Sequence, residues 1–216
     1  NESRGNAVTV REVLDNAANR IALTPFARPA LKSRYLVTIG QAYASLGLNR
    51  PSLALLDQAI SIMPDALQGE DARQRAQALL ARAIVLLDMG DYAKVRVDAD
   101  AMAALLPHAA TTDDVLHPRL AILRGDLAAA IGDVDAARQA FDAAVAWAEH
   151  GRDRETAARI RTEAWIGLAF VDFQVQDHAA AESWFAKALG ESESVLGASH
   201  PLTVVAHSSR ASNAYQ

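Results

Sequence analysis

Side chains that could perform chemistry are few in this sequence, and they do not occur at the spacings of known sites. The six histidines are His108, His117, His150, His178, His200 and His207. His200 and His207 are seven residues apart and could share a helical face, but no carboxylate or cysteine accompanies them. A metal site needs several such ligands together. We therefore expect no metal and no cofactor, and we interpret the histidines as exposed or capping residues.

The serines and carboxylates do not form a nucleophilic or acid–base site. Ser208, Ser209 and Ser212 lack the glycine-flanked elbow of serine hydrolases. Asp113–Asp114 lies in a linker and is better interpreted as the start of a helix than as a catalytic pair. The signature motifs of a protein kinase are also missing from these 216 residues. We expect no catalytic residue here and do not expect this chain to be an enzyme.

Composition favours closely packed helices. Apolar residues make up 51% of the chain, mainly as alanine and leucine, and aromatic residues only 6%. Alanine has the highest helix propensity, so this balance predicts an all-α protein. The net charge is -5 with no basic run, which argues against a nucleic acid partner. There is no cysteine, and no apolar stretch is long enough to insert into a membrane.

Four segments repeat one pattern of small, apolar and turn-forming residues. The positions of Gly47, Gly90, Gly132 and Gln176 follow one another at intervals of 43, 42 and 44 residues. The same intervals separate a second set of positions, Ala59, Met102, Ala144 and Ala188. Two independent markers in one register indicate an internal repeat of helical hairpins.

Each marker has a physical role in such a hairpin. The glycine can adopt the left-handed conformation that ends the first helix. The following Asp91, Asp133 or Asp177 can cap the second helix, and the first repeat has Asn49 and Pro51 instead. Small residues midway along the first helix allow the second helix to approach closely, and they are Gly40, Ala83, Gly125 and Ala169. Pro64 and Pro107 end their hairpins because proline cannot continue the helical hydrogen bonds.

The pattern resembles the tetratricopeptide repeat (TPR), W-x2-L-G-x2-Y followed by A-x3-F and P. The first segment matches it at Leu36, Ile39, Gly40, Tyr43, Ala59 and Pro64. Each repeat exceeds the usual length of about 34 residues by about eight or nine, as in the kinesin-light-chain variety. The departures are Arg82 and Arg124 for leucine and Asp172 for tyrosine. The resemblance implies a right-handed superhelical α-solenoid of antiparallel helix pairs.

The repeats divide the chain into three parts. Residues 33–199 hold four repeats, 33–75, 76–117, 118–161 and 162–199. Residues 1–32 form an N-terminal capping helix and linker, in which the apolar stripe is Val10, Val13, Leu14, Ala17, Ala18 and Ile21. Residues 200–216 begin a fifth hairpin or a C-terminal cap, with Tyr215 at the position of Tyr43. Because the chain starts at Asn1 and stops inside a predicted helix, we expect it to be a fragment.

Residues 7–15, with Ala18, Arg20 and Ile21, resemble the segment that opens the repeat region of a group of bacterial serine/threonine protein kinases. This resemblance implies a module that senses or recruits a partner, or mediates self-association, beside a kinase domain outside this chain. A membrane span before Asn1 would make the module extracytoplasmic or periplasmic; otherwise it would be cytoplasmic.

In a solenoid of this type, the first helices line the concave face, where a protein or a peptide such as an amphipathic helix binds. The positions expected to face this groove are Arg34, Val37, Gln41, Gln77, Leu80, Ile84, Arg119, Ile122, Asp126, Glu163, Ile166, Phe170 and Phe173. Their apolar members either form a continuous trough or pack against adjacent helices. We expect Phe170 and Phe173 to anchor the partner.

The predicted function is a non-catalytic protein- or peptide-binding scaffold. Two alternatives remain open at this point. One is the peptide-sensing domain of a transcription regulator, which would require a DNA-binding domain upstream. The other is an enzyme with its active site in the groove, which would require acids and bases where the sequence places mainly apolar residues.

Overall fold

The computed structural model describes residues 9–64, 68–109, 115–151 and 153–213, and this part of the chain is all-α. It contains ten α-helices, which contact one another mainly in sequential pairs. That arrangement is consistent with a helical repeat array. The chain divides into two compact units, residues 1–112 and 113–216.

The first unit contains five helices and a short 3-10 turn. The helices are α1 (Val10–Leu23), α2 (Pro29–Ser45), α3 (Asn49–Ser61), α4 (Gly69–Asp88) and α5 (Tyr92–Leu105), and the turn is Leu106–His108. α2 pairs with α3 and α4 with α5, while α4 also contacts both helices of the preceding pair. α1 lies against α2.

The second unit repeats this order with five more helices. They are α6 (Leu116–Ala130), α7 (Val134–Glu149), α8 (Arg154–Gln174), α9 (His178–Val195) and α10 (Pro201–Asn213). α6 pairs with α7 and α8 with α9, and α8 contacts both helices before it. α10 contacts α8 and α9 in the same way, so it occupies the place of a further first helix.

One turn geometry closes the first helix of every hairpin. The backbone is left-handed at Gly47, Gly90, Gly132 and Gln176, where φ is 71°, 75°, 81° and 64°. In each case the next residue donates its N–H to the carbonyl five residues earlier, as Asp91 does to Leu86 at 2.9 Å. This bond satisfies a carbonyl that the helix itself leaves free. The predicted register of the four turns is therefore confirmed.

Three of the four second helices begin with the predicted aspartate cap. The carboxylates of Asp91, Asp133 and Asp177 accept from the backbone N–H three residues later, for Asp133 at 3.1 Å. The expectation for the first repeat is wrong at Asn49, which is the first residue of α3 and follows Leu48, a cap residue without a side-chain hydrogen bond. Pro51 lies in the first turn, where its missing N–H costs nothing.

The core lies where the bulky residue of a second helix meets the small residue of its first helix. Leu56 lies over Gly40, and Phe141 lies over Gly125. Both of these bulky side chains are fully buried. Close approach of this kind is possible only where the facing residue has little or no side chain. The predicted role of the small residues is thus confirmed at both glycines.

Candidate functional site

In the first unit, Arg34, one of the predicted groove positions, links two neighbouring first helices. Arg34 on α2 donates to Glu70 on α4 at 3.2 Å and to the Gln74 side chain at 3.5 Å. Gln41, further along α2, is exposed, and Gln77 on α4 is half-buried. Gln74 and Glu70 were not among the predicted groove positions. The repeat interval pairs Arg34 with Gln77, and these two partners lie one and two helical turns before Gln77 on α4.

The apolar positions of the same unit differ in exposure. Val37 is buried and Leu80 is half-buried, whereas the side chain of Ile84 is 45% exposed. Val37 faces the interior because α2 contacts α1, α3 and α4. Ile84 is therefore the main exposed apolar member of the predicted groove in this unit.

The second unit repeats the polar link between first helices. Arg119 on α6 donates to Glu163 on α8 at 2.5 Å, and both side chains are partly buried. Ile122 and Ile166, one turn beyond them, are buried, while Asp126 is half-buried. As in the first unit, a cross-helix ion pair lies beside a packed apolar residue.

Phe170 and Phe173 lie near the end of α8 and differ in environment. Phe170 is 45% exposed, and its ring lies nearly perpendicular to that of Phe185 on α9, with the ring centroids 5.6 Å apart. Phe173 is half-buried, and its ring meets His178 edge-on at 5.2 Å. Phe170 thus has one side supported by the core and the other open to solvent.

The exposed fractions of these side chains distinguish between a continuous apolar trough and packing against adjacent helices. Val37, Ile122 and Ile166 are buried among helices, and the groove positions with substantial apolar exposure are Ile84 and Phe170. The physical reason is that a first helix inside the array contacts its own second helix and the neighbouring first helices. Those contacts bury the second position of three predicted sets and half-bury the second position of the other, Leu80, so the expected apolar trough is interrupted.

The candidate histidines and serines of the described part can be placed as follows. No group of three or more histidine and acidic side chains there could hold a metal ion. The hydroxyls of Ser208 and Ser212 bond the carbonyls of Val204 and Ser208 one turn earlier in their own helix. Asp113–Asp114 lies outside the described residues. None of the described helices is long and apolar enough to cross a membrane.

The perturbed pKa values have structural causes. Burial and the hydrogen bond to Asp15 raise the pKa of Tyr43 to about 12. The pKa of Arg82 is raised because its guanidinium forms two hydrogen bonds with the buried carboxylate of Asp98 and another with Asp57. Hydrogen bonds from the side chain and from the backbone N–H of Thr156 lower the pKa of the Asp153 carboxyl, which caps α8. These shifts belong to helix contacts and caps that lie outside the predicted groove positions.

Comparison with family models, curated proteins and solved structures gave no match to this chain. Its assignment as an all-helical protein of sequentially paired helices therefore rests on the helices and contacts described above.

Proposed function

We propose that this chain is a non-catalytic scaffold that binds a protein or peptide through the first helices of a TPR-type α-solenoid. Support for the repeat type comes from the four left-handed turns and from the glycines that receive Leu56 and Phe141. In repeat proteins of this architecture, stacked units create extended binding surfaces. The groove residues predicted from the sequence are the starting point for the proposed site.

The observation that carries the proposal is the half-exposed ring of Phe170. Aromatic residues are enriched among the side chains that contribute most to binding, especially where the ring is held rigidly. The contact with Phe185 provides that support. Phe173, one turn away and half-buried, extends the apolar surface of α8.

The neighbouring charges suggest an apolar rather than an ionic mode of recognition. Arg119 on α6 and Glu163, which lies two turns before Phe170 on α8, neutralise each other. A partner gains little from a charge there, whereas an apolar side chain removes the exposed ring from water. An amphipathic helix, which presents apolar residues at intervals of three and four, fits these requirements.

The signalling context remains a proposal based on residues 7–21. Their resemblance to bacterial serine/threonine kinases suggests that the scaffold recruits or senses a partner for a kinase domain outside this chain. The sequence preceding Asn1 in the natural gene tests this directly. A kinase domain there would support the proposal, and a DNA-binding domain there would refute it in favour of a transcription regulator.

Peptide selection tests the binding site. Amphipathic helical peptides selected from a displayed library on the wild-type chain should bind the Phe170→Asp variant at least about 30-fold more weakly, corresponding to about 2 kcal/mol. Binding is measured by tryptophan fluorescence, because Trp147, Trp165 and Trp184 all lie in the second unit. Circular dichroism verifies that the variant remains folded.

Two matched variants make this test specific. Val97 on α5 is also exposed but belongs to a second helix, so Val97→Asp should leave peptide affinity unchanged within about twofold. Ile84→Asp changes the equivalent groove position of the first unit. The binding proposal fails if folded Phe170→Asp binds the selected peptides as tightly as Val97→Asp does.

A further inference from the structure

The predicted groove positions of α8 have different charged surroundings at the two ends of the helix. In its first half, Glu163 forms an ion pair with Arg119, so the two charges offset each other. At the other end, Asp133 and Asp177 cap the second helices at the turns that follow α6 and α8, and both aspartates are exposed. Phe170 therefore lies near the acidic end of this surface.

Asp177 is close in the chain and in space to the two phenylalanines of α8. Phe170 precedes Gln174, the last residue of the helix, by four positions, which is about 6 Å along the helix axis. The ring of Phe173 meets the ring of His178 at 5.2 Å, and His178 directly follows Asp177. The charge of Asp177 therefore acts at the apolar surface of α8, because screening in about 0.1 M salt extends over about 10 Å.

Asp133 is the equivalent residue of the preceding hairpin. It follows α6, the first helix that contacts α8, and an interval of 44 residues relates it to Asp177. The same interval relates Phe170 to Asp126, a half-buried residue of α6. The axes of packed helices lie about 8–10 Å apart. The apolar surface of α8 is therefore bordered by acidic residues of α6 and of the turn that follows it.

The helix dipoles do not remove the charge of these two caps. At each turn the negative end of a first helix meets the positive end of a second helix, and these partial charges are about equal and opposite. Asp133 and Asp177 accept from backbone N–H groups at 3.1 Å and 3.0 Å, which leaves their negative charge in place. Arg138, the arginine of α7, is bonded to the buried Asp172 instead. We call Asp133 and Asp177 the acidic rim.

The composition of the second unit has the same sign as the rim. Residues 113–216 include 15 acidic and nine basic residues, whereas residues 1–112 include 11 acidic and 12 basic ones. The excess negative charge of the chain therefore belongs to the unit that contains Phe170. An excess of one sign attracts partners of the opposite sign and raises their rate of association.

We propose that the partner of the Phe170 site is a cationic amphipathic helix. This inference rests on the proposed peptide-binding function and specifies the charge of its partner. The apolar stripe of the partner covers Phe170 and Phe173, and lysine or arginine residues beside the stripe lie next to Asp133 and Asp177. An acidic helix with the same stripe binds more weakly, because its carboxylates approach those of the acidic rim.

Two synthetic helical peptides that differ only in charge test this proposal. Both carry the same stripe of leucines and lack tryptophan, and their polar face combines glutamine with either lysine or glutamate. In about 0.05 M salt the lysine peptide should bind the wild-type chain about tenfold or more tightly than the glutamate peptide, as measured by tryptophan fluorescence. In about 1 M salt, where the screening length is about 3 Å, the two affinities should converge.

Serine variants of the acidic rim locate the charge effect. Serine caps a helix about as well as aspartate but is uncharged, so Asp133→Ser and Asp177→Ser should leave the fold intact. The double variant should bind the lysine peptide about fivefold more weakly in about 0.05 M salt. Asp153→Ser is the matched control, because it removes the same charge from the cap that begins the 21-residue α8, about 30 Å from the end of the helix. It should change either affinity by less than about twofold.

A variant of the apolar anchor separates this inference from the binding proposal. Phe170→Ala removes the ring without adding a charge, so it should weaken both peptides by about tenfold or more. If the wild type binds both peptides equally in about 0.05 M salt and Phe170→Ala weakens both, the cationic partner is refuted and the peptide-binding proposal stands. If neither peptide binds the wild type, or Phe170→Ala binds both as tightly, both proposals fail.

The acidic rim has its own decisive outcome. A preference for the lysine peptide that is equally large in the wild type and in the rim double variant would reflect the net charge of the unit alone. That result would overturn the placement of the basic residues beside Asp133 and Asp177. A preference that falls in the rim double variant but not in Asp153→Ser supports it.

Discussion

The tightest steric constraint in the second unit lies at Gly167 on α8. A Cβ atom there would be 2.3 Å from Cζ and 2.4 Å from Cε1 of Phe141. On α6, a Cβ atom at Gly125 would be 2.7 Å from the same ring. The ring of Phe141 therefore packs against glycines of two successive first helices. We predict that Gly167→Ala destabilises the second unit.

Two opposing effects determine the magnitude. Alanine is favoured over glycine in a helix interior by about 1 kcal/mol. Against this, overfilling a packed core costs about 1–3 kcal/mol. The added methyl would lie more than 1 Å inside the usual carbon–carbon separation of about 3.5–4.0 Å, and the same ring is also packed against Gly125. We expect the steric cost to approach the upper limit, giving a net loss of about 1–2 kcal/mol.

Urea denaturation followed by tryptophan fluorescence measures this effect in the correct unit. All three tryptophans lie there and contact the cluster that contains Phe141. Gly190→Ala is the matched control, because Gly190 lies within α9 and a Cβ atom there would have no neighbour within 4 Å. It should increase the free energy of unfolding by up to about 1 kcal/mol.

The comparison of the unfolding free energies of Gly167→Ala and Gly190→Ala tests the reasoning. If Gly167→Ala stabilises the unit as much as Gly190→Ala does, the proposed confinement of Phe141 is wrong. A double-mutant cycle identifies the ring as the cause, because Gly167→Ala should be less harmful in a Phe141→Leu background. Equal costs in both backgrounds would refute the direct contact with the ring.

Two further predictions concern a turn and a pH dependence. Gln176→Gly should raise the free energy of unfolding by about 1 kcal/mol, because Gln176 holds a left-handed conformation that costs a residue with a side chain about this much. Gly132→Ala places a side chain at the equivalent left-handed turn, so it should lower the free energy of unfolding in the same denaturation assay. Between about pH 10 and pH 12 the unfolded Tyr43 ionises while the folded one retains its proton, so stability should fall as pH rises through this window. Denaturation midpoints of the wild type and Tyr43→Phe should therefore converge as the pH rises, and parallel pH profiles would contradict a Tyr43 with a raised pKa.

The hairpin register could be predicted because its markers have local physical requirements. A left-handed turn favours glycine, and the helix after it favours an aspartate cap, so Gly90–Asp91 and Gly132–Asp133 are visible in the sequence. Gln176 was correctly placed by the interval alone. The cap at Asn49 was predicted incorrectly because its asparagine lies one position too late.

The surface was harder to predict because exposure depends on several helices at once. Val37 and Ile84 both lie on the predicted groove face, yet one is buried and the other is nearly half exposed. The close contact of Gly167 with Phe141 could not be predicted from the sequence either, because Phe141 belongs to the preceding hairpin. Sequence spacing identifies which residues share a face, but side-chain size and helix approach determine which of them are covered.

Some contacts recur between repeats even though the intermediate sequence changes. Arg75 donates to the carbonyl of Met63 at 3.4 Å, and Arg161 donates to that of Ala148 at 3.1 Å. The arginines are two repeats apart, and so are the carbonyls, but the intervening repeat has His117 at the arginine position. This recurring arginine–carbonyl contact can be recognised only from the structure, because a backbone carbonyl acceptor does not depend on the residue type at its position.

Two of the three departures from the repeat pattern are explained by partners that are specific to one place in the array. Arg82 replaces the expected leucine and forms a bidentate ion pair with the buried Asp98. Asp172 replaces the expected tyrosine and is bonded to Arg138 on the preceding second helix. A buried charge that loses its partner is strongly destabilising, whereas an apolar contact tolerates exchange of similar side chains. The shared small and apolar residues therefore specify hairpins in general, and these charged pairs restrict which helices can be neighbours.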